Sequence, residues 1–312
     1  MAAEKMATRE AYGKALVKLG AEYKNLVVMD ADLSGSTKTA EFGKAYPDRF
    51  FNMGIAEQNL YGTAAGLAHS GKIVCASTFA MFAAGRAFEI IRNSIGYTGA
   101  NVKICASHAG ITTGEDGASH QSFEDIALMR TIPGMKVIVP ADGTSAMKLL
   151  EQAVAVYGPC YVRLGRAAVP LIYDDMVDIK LGKGNQIKDG GDATVIAAGI
   201  MVNEALTAAE ELKKQGIDIR IIDLHTIKPL DEEIILKAAE ETGAVITAEE
   251  HSVIGGLGGA VAELLSVKKP VRMAMVGQGD TFGESGRPDE LKAKYGMTSS
   301  DIVKAVKRCI EK

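Results

Sequence analysis

The sequence predicts an α/β protein built as two three-layer α/β/α domains with mostly parallel sheets, and three observations carry that prediction. Short apolar runs rich in β-branched residues alternate with longer stretches of helical periodicity almost from end to end, the pattern of doubly buried strands joined by crossover helices. A chain of 312 residues at 47% hydrophobic composition is long enough to divide into two cores. The alternation lapses once, from Arg166 to Gly191, where Pro170, the acidic pair Asp174 and Asp175 and the stretch Gly182–Gly184 show no period. The expected division is therefore a first domain at residues 1–168, a linker at 169–188 and a second domain at 189–312.

In the first domain the helical stretch Arg9–Lys18 is followed by apolar runs at Leu26–Asp30 and Phe50–Met53, which read as strands. The helical period returns at Glu57–Ala68, and strands follow at Ile73–Ser77, Val102–Ser107 and Lys136–Pro140. A helix at Ser145–Ala155 and a strand at Tyr161–Gly165 complete that unit. In the second domain Ala193–Ala198, Ile217–Leu224, Ala244–Glu249 and Val271–Val276 read as strands. Their helices are expected near Asn203–Lys214, Glu232–Glu241, Ala260–Ser266 and Asp301–Ile310. No internal repeat stands out.

Composition narrows the function. A net charge of -4 lacks the basic excess that favours nucleic acid or an anionic membrane surface. The four cysteines form no C-x-x-C pair and read as reduced core thiols rather than a disulfide framework or a zinc site. No apolar signal core follows the N-terminus and no apolar run approaches the roughly 20 residues of a membrane span, so a soluble, cytoplasmic protein is expected. Dinucleotide binding by G-x-G-x-x-G is absent; Gly255-Gly256-Leu257-Gly258-Gly259 lacks the spacing and reads as a glycine-rich helix entrance. None of the four Gly-Lys pairs is followed by Ser or Thr, which excludes a P-loop, and G-x-S-x-G is missing.

Three segments carry chemistry. In Asn52-Met53-Gly54-Ile55-Ala56-Glu57-Gln58-Asn59 a strand gives way to a helix with Glu57 in its first turn; alone, that acid is explained by the helix dipole. Thr78-Phe79-Ala80-Met81-Phe82 places two aromatics at i, i+3, which core packing would also explain. Ser107 to Gln121 is a long polar, glycine-rich loop directly after an apolar strand, and it holds two of the five histidines, His108 and His120. Loops beyond the carboxyl ends of parallel strands are where α/β proteins place ligands, and a His/Asp cluster there can bond hydroxyls and move protons near neutral pH.

With these motifs in hand, the chain resembles the thiamine-diphosphate pyrimidine-binding domain and C-terminal domain of transketolase. G-I-x-E at 54–57, T-F-x-x-F at 78–82 and H-x(7)-D-x(3)-H from His108 through Asp116 to His120 match that family in order and spacing. Ala7-Thr8-Arg9, Ala31-Asp32-Leu33 with Ser36, and Leu164-Gly165-Arg166 add to the match, which extends from about Thr8 to the C-terminus. The family's aromatic cluster usually has a third member where this chain has Gly85, so the platform is smaller or is completed by Phe88 or another group.

The resemblance implies thiamine diphosphate as cofactor, with Glu57 bonding the pyrimidine nitrogen so that the imino tautomer can remove the thiazolium C2 proton. That role needs a desolvated carboxyl able to share a proton. It further implies that Phe79, Phe82 and Asp32 border the cofactor and that His108 and His120 bond the ketose hydroxyls and carbonyl. Asp116 would recognise the acceptor C2 hydroxyl, and Arg9, Ser36 and Arg166 would hold the sugar phosphate, although each arginine is also explicable as a solvated surface charge. The family's G-D-G motif for magnesium or calcium is not found; Gly190-Gly191-Asp192 precedes a strand of the second domain and has no matching Asn. The metal ligands are accordingly expected on an N-terminal-half partner chain, in a heterotetramer serving the pentose phosphate pathway. Rival readings are a decarboxylating thiamine enzyme, of the deoxyxylulose phosphate synthase or 2-oxoacid dehydrogenase beta type, and a non-catalytic interaction subunit. The H-x(7)-D-x(3)-H loop and the arginines favour ketol transfer between sugar phosphates.

Overall fold

The runs Leu26–Asp30, Ile73–Phe79 and Val102–Ser107 are buried at every residue. They read as mainly apolar stretches because a central parallel strand is covered by helices on both faces; the cationic exception within them, Lys103, donates to the Asn101 side chain and the Val156 and Gly158 carbonyls. The computed structural model describes residues 4–311. Its strands in chain order are β1 (Lys5–Ala7), β2 (Leu26–Asp30), β3 (Phe50–Asn52), β4 (Ile73–Phe79), β5 (Val102–Ser107), β6 (Lys136–Ile138) and β7 (Cys160–Arg163). These are followed by β8 (Ala168–Pro170), β9 (Asn185–Lys188), β10 (Ala193–Ala197), β11 (Ile219–Asp223), β12 (Thr226–Lys228), β13 (Ala244–Ser252) and β14 (Arg272–Gln278).

One sheet has seven strands in the order β12-β6-β7-β5-β4-β2-β3, parallel except for its edge strand β12. The other has five in the order β14-β13-β10-β11-β9, parallel except for β9. β1 and β8 form a separate antiparallel ribbon. Helices flank both sheets, and one apolar cluster runs unbroken from Val74, Ile104 and Val137 of the first to Ile196, Ile222 and Val245 of the second. All four cysteines are free and buried. Among the described residues no helix is long and apolar enough to cross a membrane.

The main departures from the sequence reading are short elements whose partners lie far away in the chain. β9 falls in the segment read as linker, because Asn185–Lys188 pairs on the edge of β11 without an apolar pattern of its own. The run Ile217–Leu224 ends as a strand at Asp223; beyond His225 the chain crosses to the first sheet, where Thr226 pairs with Ile138 and Lys228 with Val137. Lys228 Nζ closes that seam by donating to the carbonyls of Arg130 and Ile132, each at 2.7 Å. Residues Phe82–Gly96 are helical with π-helical turns at either end, and short helices form at Asp125–Thr131 and Pro288–Lys294, stretches that carry no clear period in the sequence.

A second seam joins the domains at the end of β11. Tyr173 Oη donates to Asp223 Oδ2 at 2.8 Å, and Asp223 Oδ1 has no partner among the described residues. Burial, with a further contribution from Asp142 and against the Tyr173 bond, pushes the Asp223 carboxyl up to about 8. The unfolded chain releases that proton near pH 4, as carboxyls ordinarily do. The native state therefore binds one more proton than the unfolded state between about pH 4 and 8, and stability must fall as pH rises through that window. Denaturant unfolding at pH 5 and pH 8.5 is expected to show a smaller loss of stability for Asp223→Asn than for the wild type. Equal slopes would mean that the native carboxyl is ionised throughout.

Candidate active site

The loops that carry the predicted residues leave the carboxyl ends of strands adjacent in the order β7, β5, β4, β2, β3. Arg166 follows β7, His108 to His120 follow β5, Phe79 ends β4 with Phe82 beyond it, Asp32 and Ser36 follow β2, and Glu57 follows β3. Parallel pairing alone brings these distant segments to one rim. Arg9 joins from the helix Thr8–Glu22, whose first residue accepts through Oγ1 from Gly165 N at 2.7 Å.

The loop after β2 is built on Asp30, a buried carboxylate that the sequence reading passed over. It accepts from Leu33 N at 2.5 Å, Thr37 Oγ1 at 2.6 Å and Thr39 Oγ1 at 2.9 Å. Burial pushes this carboxyl up and the three bonds pull it back. The loop so held turns Asp32 into left-handed backbone at φ +66° and presents the Ser36 carbonyl to Arg9 Nη1 at 2.8 Å. Ser36 thus meets Arg9 through its backbone. Asp32 accepts from Asn52 Nδ2 at 2.9 Å, and Arg9 Nε is buried without a partner among the described residues.

Four predicted side chains meet as rings. His108 stacks on Phe79 with centroids 3.9 Å apart, so one face of Phe79 is covered. Phe82 lies parallel to Phe79 at 6.1 Å, and His120 stands edge-on to Phe82 at 5.3 Å. His108 is left-handed at φ +58°, its Nδ1 is 2.8 Å from Ser107 Oγ, and its carbonyl accepts from Thr113 Oγ1 at 2.8 Å. Burial first, then the charges of Arg9 and Arg166 and the proximity of His120, push the His108 imidazole down to about 3. It is therefore neutral at physiological pH, able to donate from one nitrogen and accept at the other.

Arg166 Nη1 donates to the Thr113 carbonyl and to Glu115 Oε2 at 3.1 Å, and lies 3.8 Å from Asp116 Oδ2. Asp116 is thereby paired across the loop. Glu57 opens the helix Glu57–His69 after the positive-φ turn at Gly54; it is 5% exposed, and its carboxylate has no hydrogen-bond partner among the described residues. Tyr61, one turn on, is buried, and its hydroxyl has no partner among the described residues. At Gly85 the space beside the backbone is taken by Met81, whose Cε would sit 2.8 Å from an added Cβ. Phe88 does not extend the aromatic platform: it packs against the hydrophobic core. Among the described residues no group of three or more His, Cys, Asp or Glu side chains is gathered to hold a metal ion.

The family models of the transketolase pyrimidine-binding domain and the transketolase C-terminal domain match residues 4–171 and 182–302. The chain is 52% identical over 304 residues to a transketolase C-terminal section of Methanocaldococcus jannaschii, covering 96% of this chain and 94% of that protein. It is 43% identical over 304 residues to a 6-deoxy-6-sulfo-D-fructose transketolase subunit of a Clostridium strain, covering 97% and 94%. A solved split gene transketolase, described as an inactive beta4 tetramer, superposes with a TM-score of 0.92 at 55% identity over 98% of each chain.

The geometry around His108 has a direct spectroscopic consequence. Its imidazole signals are expected to stay those of the neutral ring from pH 8 down to pH 5. Arg166→Gln should raise its pKa, because a removed guanidinium no longer opposes the imidazolium. Titration of the wild-type ring near the ordinary histidine value of about 6.5 would contradict the burial and charge arrangement.

Proposed function

This chain belongs to the transketolase family, and from that premise we propose that it is the aminopyrimidine-binding half of a split transketolase. With a second chain that holds the diphosphate through magnesium or calcium, it transfers a two-carbon ketol unit from a ketose phosphate to an aldose phosphate. The observation that carries the proposal is the conjunction, on one rim, of an unpartnered buried carboxylate at Glu57, the Phe79–Phe82 pair and the two ring-packed histidines. Its relatives of matching length, a transketolase C-terminal section and a split gene transketolase, support a separate partner. The assembly we propose contains two of each half.

The residues fit the cofactor. A flat ring bearing a nitrogen suits a largely buried carboxyl without a hydrogen-bond partner among the described residues and the half-buried Phe82 face beside Phe79. When bound, thiamine diphosphate supplies the nucleophilic carbon and the electron sink for breaking the ketose carbon–carbon bond. Glu57 holds the proton at the pyrimidine nitrogen, and Asp32 borders the cofactor from the neighbouring loop. His108, neutral and fixed by Ser107, and His120 bond the substrate's carbonyl and hydroxyl oxygens. Asp116 orients the acceptor's C2 hydroxyl.

Arg9 and Arg166, with Ser36 beside Arg9, take the anionic end of the sugar. Arg9 Nε is buried and has no partner among the described residues, and a phosphate would compete with the Ser36 carbonyl for Arg9 Nη1 and with Glu115 and Asp116 for Arg166. A guanidinium fork binds a sulfonate by the same geometry, so the sulfosugar relative is consistent with this anion site.

The test is a coupled transfer assay with xylulose 5-phosphate and ribose 5-phosphate, using this chain co-purified with a diphosphate-binding half, thiamine diphosphate and magnesium. Activity is expected only from the mixture, and Glu57→Ala should lower kcat by at least about a thousandfold, the scale of a lost proton-transfer group with its cofactor orientation. A stable complex that binds cofactor yet transfers nothing from phosphorylated or sulfonated ketoses would sink ketol transfer and favour a decarboxylating relative.

A further inference from the structure

The loop that bears His108 and His120 is held from the second domain. Strand β13 carries Glu250, a buried residue whose Oε1 accepts from Thr112 N at 2.6 Å. Gly110, at φ +79°, leaves the room that this carboxylate occupies: a Cβ there would stand 2.4 Å from Glu250 Cδ and 2.6 Å from its Oε1. The loop residue on one side of this contact is His108, in its left-handed conformation; on the other is Thr113, whose hydroxyl bonds back to the His108 carbonyl.

The backbone of Glu250 is itself fixed. Its carbonyl accepts from Arg163 Nη2 at 2.8 Å, and the same nitrogen reaches the Ser122 carbonyl at 3.3 Å at the far end of the loop. Gly110 N closes the loop on that Ser122 carbonyl at 3.0 Å, and Ser252 N bonds the Phe123 carbonyl at 3.0 Å. The Glu250 carboxylate thus meets the loop at Gly110 and Thr112, between His108 and Thr113.

We propose that Glu250 is a positioning residue of the sugar site: through Thr112 N and the space above Gly110 it sets the backbone of residues 108–113 and with it the placement of His108. The second domain, to which the sequence assigns no chemistry, would act on the reaction through this contact. The proposal rests on the ketol-transfer reading for its kinetic consequence but not for its structural one. A hydrogen bond to a buried carboxylate contributes enough that losing it changes an affinity by about tenfold or more.

The test uses Glu250→Ala, Glu250→Gln and Glu250→Asp in the full chain. Gln keeps an acceptor at the same reach, whereas Asp withdraws the carboxylate by one methylene and serves if the Ala variant does not fold. Hydrogen exchange of the free chain is read first: amides of 109–121 should exchange at least about tenfold faster in the Ala and Asp variants, with β4 and β5 unchanged and Gln near wild type. In the complex with the diphosphate-binding half, the KM for both sugars should rise about tenfold in the Ala or Asp variant, with cofactor affinity and kcat within about threefold. Wild-type exchange and KM in those variants would overturn the proposal. So would faster exchange spread over the whole second domain with loss of cofactor binding, since that is the mark of a merely structural carboxylate. A wild-type complex without transfer activity would instead count against the function proposed above, while the exchange pattern would still decide the role of Glu250.

Discussion

The buried ion pair between Arg163 and Asp125 is the constraint on which both the domain arrangement and the loop over the site depend. Arg163 ends β7, Asp125 opens the helix Asp125–Thr131, and both side chains are almost fully withdrawn from water. Withdrawing two charges costs several kcal/mol each unless every polar atom is bonded. Here Asp125 Oδ2 accepts from Arg163 Nε at 2.8 Å and from Tyr161 Oη at 2.7 Å, and Oδ1 accepts from Arg163 Nη2 at 3.2 Å. Burial alone would raise the Asp125 carboxyl, but the charge of Arg163, with the hydrogen bonds from Arg163 and Tyr161, holds it below its ordinary value. The pair stays ionised.

That guanidinium also binds carbonyls from both domains, Ser122 in the first and Glu250 in the second, so the domains are locked at the point where the loop after β5 folds over. Nearby, Glu249 accepts from Leu257 N at 2.7 Å and Gly258 N at 2.8 Å, capping the helix Leu257–Lys268. Burial against these bonds pushes the Glu249 carboxyl up to about 7. Polar connections of this kind, beside a continuous apolar core, make the second domain part of the scaffold of the site rather than an appendage.

Glu57, Phe82 and His120 keep surfaces or bonding capacity that the chain does not use internally, whereas Asp30, Ser107 and Tyr161 spend theirs on fixing loops and core. Under the proposed function this division is what a half-site completed by a second chain requires, and the candidate site sits at the carboxyl ends of parallel strands, where backbone geometry rather than any one side chain gathers the groups.

Much of this was legible in the sequence for a physical reason. Doubly buried strands such as β2, β4 and β5 advertise themselves as apolar runs, and the glycine-rich loop from Ser107 to Gln121 needs backbone that glycines at 110, 114 and 117 adopt at positive φ. The spacing of Glu57, Phe79, Phe82, His108, Asp116 and His120 was enough to nominate the site. What the sequence could not determine depends on partners that are remote along the chain. β12 has no pattern until it meets Ile138, and the ion pair joins residues 38 apart in the chain. Glu250 reads as one more acid at the end of an apolar run until Thr112, 138 residues away, donates to it. Local chemistry named the residues, while tertiary packing alone decided which of them are paired and which remain free to meet a ligand.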